Sequence, residues 1–228
     1  MKQEQISVAI DGPAGAGKST IAKRLAKELS MIYVDTGAMY RTAALFSLRE
    51  GVMADREDEI AAMMNRCEID IAFREEDQSQ RMLLGGEDVT GLIRTEEVSR
   101  QASAISVYPK VRQILTEKQR QIARKSSVVM DGRDIGTVVL PDAKVKIFLT
   151  ASIEARAKRR YEELLAKGEE ADISVIERDM KERDERDSTR KEAPLKKAED
   201  AILLDTSDLN VEEVLEEIRK IIRERTDA

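Results

Sequence analysis

The sequence predicts an α/β protein: a doubly wound, parallel sheet of five strands flanked by helices, with a small insertion and a charged helical segment added to it. Three observations lead there. Five short apolar runs lack the alternation of a half-exposed strand, as strands covered on both faces should. Long helical patterns separate these runs, and one stretch of short, polar-bounded strands interrupts the alternation.

Taken in order, Ile6 to Ile10 (ISVAI) is the first strand, closed by Asp11-Gly12. Ile21, Leu25, Ala26 and Leu29 then recur at helical spacing, with Ser19-Thr20 where N-caps belong. Met31 to Val34 is the second strand, followed by the loop Asp35-Thr36-Gly37. Glu68 to Phe73 and Arg81 to Leu84 read as short strands, and Gly85-Gly86 supplies a tight turn before Glu87-Asp88-Val89. Pattern alone leaves this insertion either a surface hairpin or a cover for a substrate. Ser127 to Met130 and Val145 to Leu149 are the third and fourth strands. Ile153 to Lys191 is helical, dense in charge and broken at Gly168, and Ala201 to Leu204 is the last strand. The expected organisation is core over 1–66, insertion over 67–107, core over 108–152, a helical region over 153–191, and the last strand and C-terminal helix over 192–228.

Composition removes whole classes of mechanism. Cys67 is the only cysteine and histidine is absent, so disulfides, Cys/His zinc sites and imidazole-based triads are excluded. Cys67 is expected to be a small buried hydrophobe. A net charge of −6 with 3% aromatic residues argues against a nucleic-acid partner. No stretch approaches the length of a membrane span, and the N-terminal residues do not read as a secretory signal, so a cytoplasmic protein is expected.

Gly12-Pro13-Ala14-Gly15-Ala16-Gly17-Lys18-Ser19, with Thr20 next, fits G-x-x-x-x-G-K-[ST] between a buried strand and an amphipathic helix. Its glycines let backbone amides wrap phosphates, Lys18 adds a mobile charge, and the helix dipole points at the same group. The fold class is therefore that of a P-loop protein binding a nucleoside triphosphate, with Ser19 the expected Mg²⁺ ligand.

Other residues narrow the reading. The chain has two asparagines, Asn65 and Asn210, and neither precedes a lysine, so the Asn-Lys-x-Asp guanine motif is missing. After the third strand comes Asp131-Gly132-Arg133-Asp134 rather than the catalytic glutamate of an ATP-driven motor. Phosphoryl transfer needs two substrates held in line and cations matched to spreading negative charge, work suited to arginine. Arg41 and Arg133 follow the second and third strands, whose carboxyl ends face the ligand crevice in an open α/β sheet, so both are placed to converge with Lys18. Arg183, Asp187 and Arg190 share one helical face. That run reads either as a solvated, salt-bridged surface or as a lid closing over triphosphate, to which Arg156, Arg159 and Arg160 would contribute.

The chain resembles bacterial cytidylate kinases from its first strand to its last helix. The motifs that carry the likeness are IDGPAGAGKST (Ile10 to Thr20), DTGAMYR (Asp35 to Arg41), GEDVTGLIRTEEVS (Gly86 to Ser99), YPKVR (Tyr108 to Arg112), DGRDIGTVVLPDA (Asp131 to Ala143) and ERDERDSTR (Glu182 to Arg190). Only the first is generic. The resemblance implies ATP- and Mg²⁺-dependent phosphoryl transfer to CMP or dCMP by a monomer, with the insertion as a monophosphate-binding domain. It also implies that Arg41, Arg133 and Arg190 hold the monophosphate, Arg183 and Asp187 the sugar hydroxyls, and Ser103, Arg112 and Asp134 the base. Asp35 and Thr36 would line the same crevice. Lys18, Arg133, Arg183 and Arg190 are the candidate catalytic cations.

The base assignment has chemical sense of its own. Asp134 can accept from the cytosine N4 amino group, and Ser103 and Arg112 can donate to N3 and O2. Taken alone, Asp134 reads equally as the partner of a nearby arginine or as a helix cap. The loop Asp205 to Leu209 is the candidate for adenine contacts.

Overall fold

The computed structural model describes residues 5–74 and 80–226. Along the chain run β1 (Ser7–Asp11), α1 (Lys18–Glu28), β2 (Ile32–Asp35), α2 (Thr36–Arg49) and α3 (Glu57–Met64). The insertion follows with β3 (Ile69–Phe73), β4 (Gln80–Leu84), β5 (Glu87–Asp88) and α4 (Glu96–Ile105). The chain then returns through α5 (Pro109–Ala123), β6 (Val128–Gly132), β7 (Val145–Thr150), α6 (Ile153–Ala166), α7 (Ile173–Thr189), β8 (Ile202–Asp205) and α8 (Val211–Thr226). The first residues of the expected core and residues 75–79 of the expected insertion lie outside the described residues.

The main sheet is parallel, five strands in the order β2-β6-β1-β7-β8. Its central strand shows why the runs lacked alternation. Val8 and Ile10 face one way, into a core with Ile21, Ala22 and Leu25 of α1 and Leu215 and Ile218 of α8. Ala9 faces the other way, into a core with Met39 and Ala43 of α2 and Leu115 of α5. Both faces are dry, so both must be apolar.

Each strand nevertheless runs one or two residues past the apolar run that predicts it, ending on Asp11, Asp35, Gly132, Thr150 or Asp205. Register sets Asp131 beside Asp35 on one flank and Ile10 on the other. Carboxylates of adjacent strands therefore meet at one edge of the sheet.

The insertion forms an antiparallel sheet β3-β4-β5, with Gly85-Gly86 turning between the paired Leu84 and Glu87. Among the described residues it has no separate core. Ile69, Met82, Leu84 and Val89 pack into the cluster that also holds α2, and Cys67 sits there as a small hydrophobe, its thiol pushed up to about 12 by burial. By contrast, the only buried residues of α6 and α7 are Arg156, Ala157, Met180 and Asp187. Elements with so little apolar anchorage belong to the low-stability end of a fold.

One local expectation is corrected. The N-cap of α1 is Gly17, in the left-handed region at φ 85, and no side chain caps the helix. Ser19 lies inside the first turn. A capping side chain would consume the free amides that a phosphate-binding helix end must keep.

Candidate active site

β1 passes into the loop at Gly12, whose φ of 149 suits glycine, and a Cβ there would sit 1.9 Å from the Leu149 carbonyl oxygen. The loop then curls over its own lysine: Lys18 is buried and its Nζ donates to the Pro13 carbonyl at 2.6 Å. Burial, with Arg133 and Arg183 as like-charged neighbours, lowers the ammonium's pKa, while Asp131 and Asp11 oppose them. Ser19 Oγ donates to Asp131 Oδ2 at 2.8 Å. Burial, then the nearby Asp35, raises the Asp131 carboxyl, and its other oxygen is buried without a hydrogen-bond partner among the described residues.

Arg156 braces the loop from α6. Its guanidinium donates to the carbonyls of Ala14 and Ala151, both at 3.0 Å, and pairs with Asp184 of α7 at 2.7 Å. Arg160 is not brought there; it pairs with Glu163 at 2.9 Å on the exposed side of α6. The loop Asp205 to Leu209 meets Arg159, which donates to the Thr206 carbonyl, and does not line the crevice beside the phosphate loop.

That crevice measures about 240 Å³. Lining it with Ala14, Gly15, Lys18 and Ser19 are all ten residues expected on the acceptor side: Asp35, Thr36, Arg41, Ser103, Arg112, Arg133, Asp134, Arg183, Asp187 and Arg190. They arrive from four directions. Asp35 ends β2 and caps α2 by accepting from Ala38 N at 2.8 Å, and its second oxygen holds Arg41 at 3.0 Å. Thr36 donates to the Asp131 carbonyl at 2.7 Å. Arg133 follows β6 and donates to Asp187 of α7 at 2.8 Å. Arg190 lies one residue past the end of α7, so the face shared by Arg183, Asp187 and Arg190 continues into extended chain.

The cations are crowded. Burial and the neighbouring Arg133 bring Arg183 down to about 10, and its Nε is buried without a hydrogen-bond partner among the described residues. Burial and Arg112 lower Arg190 as well. Asp187 moves oppositely: burial pushes its carboxyl up, but Arg133, Arg183 and Arg190 together hold it below the usual carboxylate value.

At the far end, Asp134 Oδ2 is paired with Arg112, and both side chains are 8% exposed. Its Oδ1 lies 3.6 Å from Arg190, beyond hydrogen-bond range. Asp134 begins the π-helical turn Ile135–Val139 but does not cap it, so the cap reading is excluded while the arginine pairing is present. Ser103 Oγ accepts from Arg186 NH1 at 3.0 Å, bridging α4 to α7.

Sequence reasoning missed Asp131, Tyr40, Ser99 and Ser106, which line the same crevice. Tyr40 lies under the Arg112 guanidinium, 5.7 Å from ring centroid to Cζ. A signal existed for Asp131, an acid closing a buried strand; nothing local marks the others.

A family model described as Cytidylate kinase matches residues 8–224. A curated cytidylate kinase from Geobacillus sp. is 48% identical over 223 residues, covering 98% of this chain and 99% of that one. Another, from Carboxydothermus hydrogenoformans, is 51% identical over 220 residues, covering 96% and 98%. Among solved structures, a protein from Eubacterium ventriosum titled uncharacterized superposes with a TM-score of 0.53 at 19% identity, covering 97% of this chain and 100% of that one, a likeness of fold. On the match to the family model and these identities, the chain belongs to the cytidylate kinase family.

Proposed function

We propose that the crevice holds ATP on the loop Gly12 to Ser19 and CMP or dCMP opposite it, with the γ-phosphoryl group passing between them. The reaction is that of the family, phosphoryl transfer to CMP or dCMP giving the diphosphate and ADP. The observation that carries the site assignment is the convergence of Lys18, Arg41, Arg133, Arg183 and Arg190 on one crevice beside a phosphate loop. Lys18 and Arg183 are each lowered by burial first and by cationic neighbours second, so a polyanion held among them removes the like-charge part of that penalty.

The roles divide by position. Lys18 and the loop amides hold the donor phosphates, braced by Arg156, with Arg160 reaching them only on closure of 153–191 as a lid. Arg41, Arg133 and Arg190 hold the acceptor phosphate, and Arg183 and Asp187 the sugar. The insertion over 67–107 works as the acceptor-binding part, although it shares the main core. Asp134 keeps Arg112 on one oxygen and offers the other to the cytosine N4 amino group. Ser103 accepts from Arg186, which leaves its own O–H to donate to a ring acceptor. Uracil would set O4 against the Asp134 carboxylate.

Ser19 Oγ and the Asp131 carboxylate form a hard-oxygen pair that fits Mg²⁺, and Asp131 has a buried oxygen without a partner among the described residues. Among the described residues no cluster of three acidic, Cys or His side chains forms a protein cage, as suits an ion shared with phosphates and water. Bound there with ATP, Mg²⁺ would neutralise charge on the β- and γ-phosphates. The reading includes a monomer working on free nucleotides in the cytoplasm, without nucleic acid or membrane. Following nucleotides by ³¹P NMR with ATP, Mg²⁺ and CMP tests it: ADP and CDP should appear one for one, and ADP formation should nearly stop without CMP. Acceptor-independent ATP hydrolysis as the main activity would overturn it.

A further inference from the structure

Asp11 is the last residue of β1, directly before the phosphate loop, and it is buried with its carboxylate on the turn that follows β6. Oδ1 accepts from Ile135 N and Oδ2 from Gly136 N, both at 2.7 Å, across more than 120 residues of sequence. These amides open the π-helical turn that begins at Asp134. An aspartate at the start of a helical turn ordinarily bends back to accept from its amides. Asp134 does not, because Asp11 already occupies them, and its carboxylate faces the crevice, Arg112 and Arg190 instead. The other end of the turn is pinned too: Arg120 of α5 donates to the carbonyls of Val138 at 2.7 Å and Val139 at 3.1 Å.

We infer that Asp11 is a positioning residue for base recognition: by capping a turn that belongs to another strand, it keeps Asp134 out of that cap and turned toward the acceptor. The inference rests on the reading of Asp134 as the cytosine reader. It also makes the end of β1 a joint between the donor loop and the acceptor corner. In Asp11→Asn the side chain keeps its shape, but its NH₂ faces one of the two backbone donors, so one amide is orphaned. Asp134 then gains the local cap and leaves the base.

The test is kcat/KM for CMP and UMP in the wild type, Asp11→Asn, Asp134→Asn and the double variant. Asp11→Asn should lower the CMP-over-UMP ratio by about 10²-fold, the scale of a misplacement near 1 Å, with KM for ATP within about threefold of wild type. In the Asp134→Asn background, Asp11→Asn should leave the ratio unchanged, since both act through one carboxylate. A lower melting temperature with an unchanged ratio, or ratios that fall independently, overturns the inference. If Asp11→Asn does not fold, Arg120→Gln frees the other end of the turn and must lower the same ratio; an unchanged ratio is equally fatal. A wild type that does not prefer CMP refutes the reading of Asp134, not the role of Asp11 as cap.

Discussion

Replacing Arg183 by methionine separates the work of the site from the stability of the fold. The guanidinium shares the crevice with Lys18 and Arg133, its Nε has no hydrogen-bond partner among the described residues, and burial, then like charges, bring its pKa down to about 10. That is about two and a half decades below the ordinary 12.5 at about 1.4 kcal/mol each, so burial first and like charges second cost the folded protein on the order of 3 kcal/mol there. Methionine keeps much of the stem's packing and removes the charge, while Asp187 retains Arg133. Allowing for losses at Asp184 and Asp187, the variant should be more stable by about 1–2 kcal/mol, a rise in Tm of a few degrees for a chain of this size. Turnover should fall by about 10²–10³-fold, as when one preorganised donor to transition-state charge is removed. Urea unfolding without nucleotide and a coupled ADP assay read the two effects. A variant destabilised by more than about 1 kcal/mol, or one turning over within threefold of wild type, would refute the claim that these cations are crowded for the sake of an anion.

Three further outcomes are expected. Asp134→Ala should raise KM for CMP and lower the preference over UMP by about 10- to 100-fold, the worth of a hydrogen bond to a charged group; unchanged selectivity in the coupled assay rejects its base-reading role. Because its cationic neighbours hold Asp187 below the ordinary value of 3.8, its stabilising contribution is complete above that pH and is lost as pH falls through the folded value. Acid unfolding of Asp187→Asn should therefore show a shallower loss of stability below about pH 4, and an identical slope contradicts the pairing. Gly12→Ala should destabilise by about 3 kcal/mol or more, since its Cβ would overlap the Leu149 carbonyl; thermal melting at the wild-type temperature would show that the close approach does not exist.

The order of strands and helices was legible because strands buried on both faces are written as apolar runs, and the break at Gly168 divides α6 from α7. The same rule cut each strand short. Asp11, Asp35 and Asp131 fall just beyond the apolar runs, yet they belong to the strands; Asp35 and Asp131 line the crevice, while Asp11 caps the turn after β6. The N-cap of α1 was misread because Ser19-Thr20 obey the general preference for caps, whereas a helix that receives phosphate must keep its first amides free. Contacts such as Asp11 with Ile135, Ser19 with Asp131 and Ser103 with Arg186 join residues 83 to 124 apart, and no local pattern encodes them. Motif resemblance named the ten acceptor-side residues, and the crevice collects them; pattern offered an arginine partner for Asp134 as one of its readings, but nothing in it revealed that Ser103 accepts from Arg186.

Whether the crevice reads cytosine is decided by initial rates with ATP and Mg²⁺ across CMP, dCMP, UMP and AMP. CMP and dCMP should have the highest kcat/KM, with UMP and AMP far behind. Equal or faster turnover of UMP or AMP would contradict that reading.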